Sequence, residues 1–350
     1  MTKVAKIPVI DIAAEGEDQA RVARDLVEAA IEHGFIYIKN TGKDIPVDAI
    51  ENAFNLSKKL FATPLEEKQR CKIQQNNRGW TGMHYETLDP KNQRVGDHKE
   101  AFNFGEFIDG KAKQPLPSTM VPYESQISAF RDLCYQMCLK LNTLLGIGLD
   151  VQPPDFFTAA HLREKGPSGT TLRFLHYPPL ASTDADREDV RAGAHSDYGS
   201  MTMLFRLKGQ AGLEILTGDS TWAPVPVSPP GTEDDPAPPI LVNIGDLLSY
   251  WTNGLLRSTV HRVVFPGPGK GVVEGESDAE PRYSMAFFCH PVGSTALTPV
   301  PSERVKGSAA APKGASSEGN PYAERKVMTA DEHLQMRLRA SYLELYNDKD

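Results

Sequence analysis

The amino-acid sequence predicts a mainly β protein with flanking helices, built on a double-sheet jelly roll of the double-stranded β-helix, cupin-like type. Three observations point there. From about residue 170 the chain breaks into short runs rich in β-branched and aromatic residues, at 171–178, 193–197, 200–207, 213–217, 222–227, 240–251, 260–266 and 282–290. Turn residues separate these runs and no helical period intervenes, which argues for two packed sheets over a βαβ arrangement. Clear helical periodicity lies outside this stretch, toward the two ends of the chain.

The elements follow in order. Residues 8–12 read as a short strand, and the next helix carries Val22, Leu26, Val27, Ala30 and Ile31 on one face. Gly34 stops it, and 35–39 is β-rich. A second helix with Ile50, Phe54, Leu60 and Phe61 ends before Pro64. The segment 71–118 reads as irregular, with Gly, Asn and Pro scattered among Trp80, Tyr85, Phe102 and Phe104. A long helix over about 122–146 repeats apolar residues at Ile127, Phe130, Cys134, Met137, Leu141 and Leu144. Pro-rich, acidic 228–239 and low-complexity 302–320 read as loops. A last helix over about 330–346 aligns Leu334, Leu338, Tyr342 and Leu345. The expected organisation is one catalytic unit: a helical and strand region at 1–165, the core at 166–300, a flexible loop at 301–321 and a C-terminal helix at 322–350.

Composition narrows the function. Apolar residues are 40% and charged residues 24% of 350, near globular norms. A net charge of −8 disfavours nucleic acid and anionic membrane as partners. No apolar run is long enough to span a bilayer. Cys71, Cys134, Cys138 and Cys289 show no pairing pattern and are expected as buried free thiols. With no apolar segment after the first charges, that points to the cytoplasm. No heptad stands out, so a monomer is expected.

The chemistry starts at His195-Ser196-Asp197. In a strand, residues i and i+2 share a side, so His195 and Asp197 can reach one metal. His261 opens another β-rich run and supplies a third ligand. Two imidazoles and a carboxylate form a facial triad suited to Fe(II) and O2, though the same ligand types also suit hydrolytic zinc. Arg282-Tyr283-Ser284 bears on that choice. By alternation the guanidinium and hydroxyl share a face and make a carboxylate receptor. Asp246 reads as a turn residue supporting the site, and His176 as structural. His84, His98, His161 and His333 have no partner at a usable spacing.

This order of His-x-Asp, His about sixty residues on and Arg-x-Ser some twenty further resembles the iron(II)/2-oxoglutarate-dependent dioxygenases, in the isopenicillin N synthase-like subgroup. The likeness extends through the strand opening at Pro8, the Gly34 to Asn40 segment, Leu172 to Pro178, Asn243 to Leu248 and Arg257 to Arg262. Its nearest look is to fungal members such as thymine 7-hydroxylase. The resemblance implies Fe(II) on His195, Asp197 and His261, with O2 and 2-oxoglutarate as cosubstrates. It implies that Arg282, Ser284 and Tyr177 bind 2-oxoglutarate, although Leu175 stands where many relatives carry Asn. The reaction implied is oxidation, most simply hydroxylation, of a small molecule with release of succinate and CO2, in fungal specialised metabolism or nucleobase-like catabolism. The alternatives are an iron oxidase or cyclase of this fold that does not use 2-oxoglutarate, and a catalytically silent binding protein. Arg173, Leu175, Phe205 and Phe288 are expected around the substrate, His290 toward the rim, and Phe102 and Phe104 as a lid.

Overall fold

The computed structural model describes residues 4–13, 17–93, 95–179, 191–265, 280–308 and 327–341. In chain order the N-terminal part holds β1 (Val9–Ile10), α1 (Glu17–Glu32), β2 (Phe35–Ile38), α2 (Val47–Phe61), α3 (Leu65–Gln69), β3 (Gly79–Thr81) and β4 (Glu100–Phe104). A small hairpin, β5 (Phe107–Ile108) and β6 (Lys111–Ala112), precedes α4 (Glu124–Gly148) and α5 (Phe156–Ala160). The core strands are β7 (Thr171–Tyr177), β8 (Ala192–His195), β9 (Met201–Arg206), β10 (Leu213–Leu216), β11 (Trp222–Pro224) and β12 (Ile240–Ile244). Then come α6 (Asp246–Trp251), β13 (His261–Val263), β14 (Arg282–Cys289), α7 (Glu303–Lys306) and α8 (Ala330–Ser341).

The strands form an eight-stranded sheet, ordered β1-β2-β12-β9-β14-β7-β4-β3, and a four-stranded sheet, β11-β10-β13-β8. Alternation divides the larger sheet into two faces. One face, with Ile36, Phe102, Phe104, Phe174, Met203, Phe205, Val242 and Phe287, packs on α1, α2 and α4 in the main apolar core. The other, with Phe35, Tyr37, Ala101, Leu175, Tyr177, Leu241 and Ala286, meets Ala192, Leu213, Ile215 and Val263 of the smaller sheet. The expected jelly roll is present, and the site lies between its sheets.

Several expectations change. The segment 71–118 is not all irregular: β4 is fully buried and pairs with β7 from Glu100↔His176 to Phe104↔Leu172. The run at 240–251 is a strand only to Ile244. A Cβ on Gly245 would lie 2.2 Å from the Gly199 carbonyl oxygen, and from that close approach the chain turns into α6. Ser302 caps α7 by accepting from the Val305 N–H, so the loop expected at 302–320 opens with a helical turn; 309–320 lies outside the described residues. The last helix is described to Ser341, and Tyr342 and Leu345 lie beyond the described residues.

The cysteine expectation is corrected. Cys138 on α4 is disulfide-bonded to Cys289 at the end of β14, while Cys71 and Cys134 are buried free thiols. The pair is 151 residues apart in sequence, and only packing of α4 under β14 brings it together. The free-thiol ground for a cytoplasmic location falls with it. Among the described residues no helix is long and apolar enough to cross a membrane.

Three histidines are buried at or near this core. Burial pushes His161 down to about 4, His290 to about 3 and His333 to about 4. A folded pKa below the unfolded value near 6.5 means that the unfolded chain binds the extra protons. Stability from these groups is therefore full above pH 6.5 and falls as pH drops toward 4. Three such groups give a slope approaching about 4 kcal/mol per pH unit. Urea midpoints at pH 7.5, 6.0 and 5.0 should fall steadily. A flat profile over that range would show that the three imidazoles accept protons without unfolding.

Candidate metal centre and its two chambers

The two histidines face each other because β8 and β13 pair antiparallel with His195 directly opposite His261. Their ring centroids are 4.3 Å apart. His195 Nδ1 donates to the Gly193 carbonyl at 2.7 Å and His261 Nδ1 to the Thr259 carbonyl at 3.1 Å. A carbonyl can only accept, so each ring carries a proton on Nδ1 and directs Nε2 inward, the nitrogen free to serve as a metal ligand. Both Nε2 atoms lie 3.8 Å from Asp197 Oδ1.

Asp197 is placed differently from the sequence argument. β8 ends at His195, so the carboxylate lies past the strand, on a loop. Its carbonyl accepts from the Asp246 N–H at 2.7 Å, and its Oδ2 accepts from Asn243 Nδ2, also at 2.7 Å. Burial is the largest influence on it and opposes ionisation, but the adjacent His261 and His195 together with hydrogen bonds from Thr202 and Asn243 hold the carboxyl below its usual range. Burial and the neighbouring His261 hold the His195 imidazole neutral. Asp246 supports the site as expected: it accepts from Ser196 Oγ at 2.9 Å and Ser258 Oγ at 2.6 Å, and pairs with Arg337 at 2.9 Å. It thereby links the loops beside both histidines to α8.

One ligand atom from each of His195, Asp197 and His261 lies within 4.8 Å of the others. Two inward lone pairs and one ionised oxygen, all largely buried, fit a divalent first-row metal held on one face. All three donors border an inner chamber, and His195 and Asp197 also border an outer one. The inner one, about 590 Å³ including the open solvent at its mouth, is lined by Leu175, Tyr177, Arg282, Ser284 and Lys99 among others. The outer one, about 490 Å³ on the same measure, is lined by Asn77, Glu86, Tyr198, His290, Leu334 and Leu338. Arg173, Phe288 and Leu88 border both.

Within the inner chamber Arg282 is 3% exposed and Ser284 1%. Arg282 Nε donates to the Ala211 carbonyl at 3.0 Å, its Nη1 lies 3.5 Å from Ser284 Oγ, and its guanidinium covers the Tyr177 ring at 4.7 Å. The pairing Arg282↔Tyr177 and Ser284↔Leu175 sets all four on one face at one end of the chamber.

Arg173 is less available than the sequence implies. Its Nε donates to Asn103 Oδ1 at 2.7 Å, its Nη1 pairs with Glu86 at 3.3 Å, and its guanidinium lies 5.4 Å from the Phe288 ring centre. It therefore ties the chamber wall together while bordering both cavities. Phe102, Phe104 and Phe205 are not at the site. Strand parity sends them to the helix side, where Phe104 meets Phe102 and Phe174 at 4.7 and 5.0 Å and Phe205 meets Phe130 at 5.3 Å. His176 is structural, accepted by Glu100 at 2.9 Å and stacked on Tyr283. His290, expected toward the rim, is instead buried on the outer chamber wall, with its Nδ1 lacking a hydrogen-bond partner.

Sequence reasoning missed Glu86, Lys99, Asn77, Tyr198 and Leu88, the first four polar or aromatic and most of them on irregular chain. No spacing rule marks such residues. Only Lys99 had a signal: it directly precedes the short aromatic-rich run Glu100 to Phe104, which could have been read as a strand.

Comparison with known proteins follows the same outline. Residues 7–123 match the family model described as non-haem dioxygenase in morphine synthesis N-terminal, and residues 169–291 match the 2OG-Fe(II) oxygenase superfamily. A UPF0676 protein of Schizosaccharomyces pombe is 35% identical, over 85% of this chain and 86% of its own. The 2-oxoglutarate-dependent dioxygenase gloF of Glarea lozoyensis is 30% identical, over 79% of this chain and 84% of its own. The structure of Neurospora crassa thymine 7-hydroxylase in complex with alpha-KG and thymine superposes with a TM-score of 0.74 at 26% identity, covering 97% of this chain and 99% of that one.

Proposed function

The chain belongs to the 2-oxoglutarate–iron(II) oxygenase superfamily, and from that premise we propose which of its residues carry each part of the reaction. It is a non-haem iron(II)- and 2-oxoglutarate-dependent dioxygenase, which oxidises a small molecule while 2-oxoglutarate is decarboxylated to succinate and CO2. The iron supplies the oxygen chemistry when bound. In this reading His195, Asp197 and His261 would hold it beside the inner chamber, where the cosubstrate would bind. Arg282 and Ser284 take the far carboxylate of 2-oxoglutarate, with the Tyr177 hydroxyl beside them. The observation that carries the reading is the shared inner chamber: the three metal donors and the buried Arg282–Ser284 pair line one cavity.

The substrate belongs to the outer chamber, against Phe288, with the Arg173 guanidinium edge and Leu175 at the boundary of the inner one. An aromatic face beside a cation suits a small, flat molecule bearing a carbonyl or carboxylate, hydroxylated at a carbon near the metal. A nucleobase is the first member of that class to test, because the matched thymine 7-hydroxylase structure holds thymine. Fungal specialised metabolism is the second source, given relatives such as the gloF dioxygenase. The net charge of −8 supports a small-molecule partner over nucleic acid or an anionic membrane, and the protein is proposed to act as a monomer.

The test is substrate-triggered succinate release with Fe(II), run over nucleobases, cyclic amino acids and aromatic carboxylates, with products read by mass spectrometry. Succinate with a product heavier by one oxygen supports hydroxylation. A product oxidised without consumption of 2-oxoglutarate would show that the proposed cosubstrate residues serve another purpose. Arg173→Leu should raise the substrate KM about tenfold or more, or release succinate without product, as loss of a charged hydrogen bond does. It also strips Glu86 of a partner, so a lower melting temperature is expected as well. A variant that lost stability but kept its substrate KM would make Arg173 a wall residue only.

A further inference from the structure

Lys99 stands one residue before β4, is 3% exposed, and lines the inner chamber together with Arg282, Ser284, Tyr177 and the three metal donors. Strand register says how it comes there. Arg282 pairs with Tyr177 across β14 and β7, and β4 pairs Glu100 with His176. Continued by one residue, that register sets Lys99 opposite Tyr177 on its other side. Three adjacent strands thus present a row of Arg282, Tyr177 and Lys99, with the outer two backbones about 10 Å apart at the usual strand spacing. The next row, Ser284, Leu175 and Ala101, holds one polar side chain, the Ser284 hydroxyl.

The ammonium is built into the wall. It pairs with Asp97 and, at 2.9 Å, with Glu86. Glu86 in turn pairs with Arg173, while Asp97 Oδ1 accepts from the Gly193 N–H at 3.0 Å. Gly193 is also the residue whose carbonyl orients His195. Two cations and two anions cancel within this chain of contacts. Burial works against the charge on Lys99, but Asp97 and Glu86 outweigh it and hold the ammonium above the ordinary lysine range. A purely structural wall would be met more cheaply by apolar residues, since burying four charges carries a desolvation cost. An ammonium has three N–H donors, and two carboxylates account for two of them.

We propose that Lys99 is a second cationic contact for 2-oxoglutarate, donating its remaining N–H to the cosubstrate inside the chamber. This rests on the reading that the inner chamber takes 2-oxoglutarate. The proposal makes Lys99 a recognition residue of the cosubstrate on the side of Tyr177 away from Arg282, with Glu86 and Asp97 aiming the ammonium.

The test is calorimetric titration of 2-oxoglutarate into the Mn(II)-loaded full chain, which avoids turnover, for Lys99→Met, the double variant Lys99→Met/Glu86→Gln and Arg282→Ala. The double variant restores charge balance, so it remains informative if the single one fails to fold. Expected is a 2-oxoglutarate Kd raised about ten- to a hundredfold in both Lys99 variants, as for loss of a charged hydrogen bond. Mn(II) affinity should stay within about threefold, which separates cosubstrate contact from general damage to the site. If the double variant binds 2-oxoglutarate within twofold of the parent while Arg282→Ala does not, the inference is overturned and the chamber reading stands. If Arg282→Ala also binds normally, the chamber reading itself falls, and the inference with it.

Discussion

Asp197→Ala is expected to lower turnover by about a thousandfold or more while the chain stays folded. The carboxylate is the single anion among the three donors, and its Oδ1 is 3.8 Å from each Nε2. Removing it leaves only the two imidazoles, which hold a divalent cation less tightly and supply no negative charge to balance it. A metal's contribution to such chemistry is several kcal/mol, at about 1.4 kcal/mol per decade of rate. The fold should survive because the main apolar core lies on the other face of the large sheet, against α1, α2 and α4. The visible cost is an unpartnered Asn243 amide, worth about 1–3 kcal/mol. His195→Ala and His261→Ala should behave alike. Steady-state rates with excess Fe(II), together with circular dichroism, decide it: near-parental activity in any one variant removes that residue from the ligand set, and bound zinc with hydrolase activity would overturn the metal assignment.

Arg282→Ala should weaken 2-oxoglutarate binding by about 30- to several-thousand-fold. The loss of one partner from a desolvated charge pair costs about 2–5 kcal/mol, and each 1.4 kcal/mol is about tenfold. Arg282 is nearly inaccessible, its Nε is fixed by the Ala211 carbonyl, and its ring stacking on Tyr177 limits its motion, so little ordering cost is left for binding. Ser284→Ala removes a neutral hydroxyl and should cost on the order of 1 kcal/mol. The ratio of the two effects is itself informative: a 2-oxoglutarate KM unchanged in Arg282→Ala, with protein shown to be folded, would end the assignment of this end of the chamber.

The candidate site was legible in the sequence because its parts obey short-range rules. His195 and Asp197 are two residues apart, Arg282 and Ser284 likewise, and strand alternation alone put Arg282, Ser284 and Phe288 on one face. Where the rule was applied without the right strand, it failed. Phe102 and Phe104 look like a lid on a loose segment, but they lie on β4, and its register with β7 sends even-numbered positions into the helix-packed core. Phe205 went the same way, since on β9 it is the even-numbered neighbours, such as Leu204, that border the chamber. The apolar run at 240–251 cannot announce its own change from strand to helix, because periodicity is ambiguous over so few residues.

Sequence by itself determined the β-rich core, the helical N-terminal region, the His195–Asp197 pair and the Arg282-x-Ser284 pair, since each depends on residues near one another in the chain, and it offered His261 as the third candidate ligand from a separate β-rich run. Tertiary structure alone decided the rest. It set His195 opposite His261 through the pairing of β8 and β13, joined Cys138 to Cys289 across 151 residues, and drew Glu86, Asp97, Lys99 and Arg173 into one buried network. It also gave Arg173 its carboxylate partner and so divided its role between wall and pocket. The physical reason is that local spacing specifies which way a side chain points, whereas a buried charge or thiol is defined by whichever distant group the packing of strands and helices brings within about 3 Å of it.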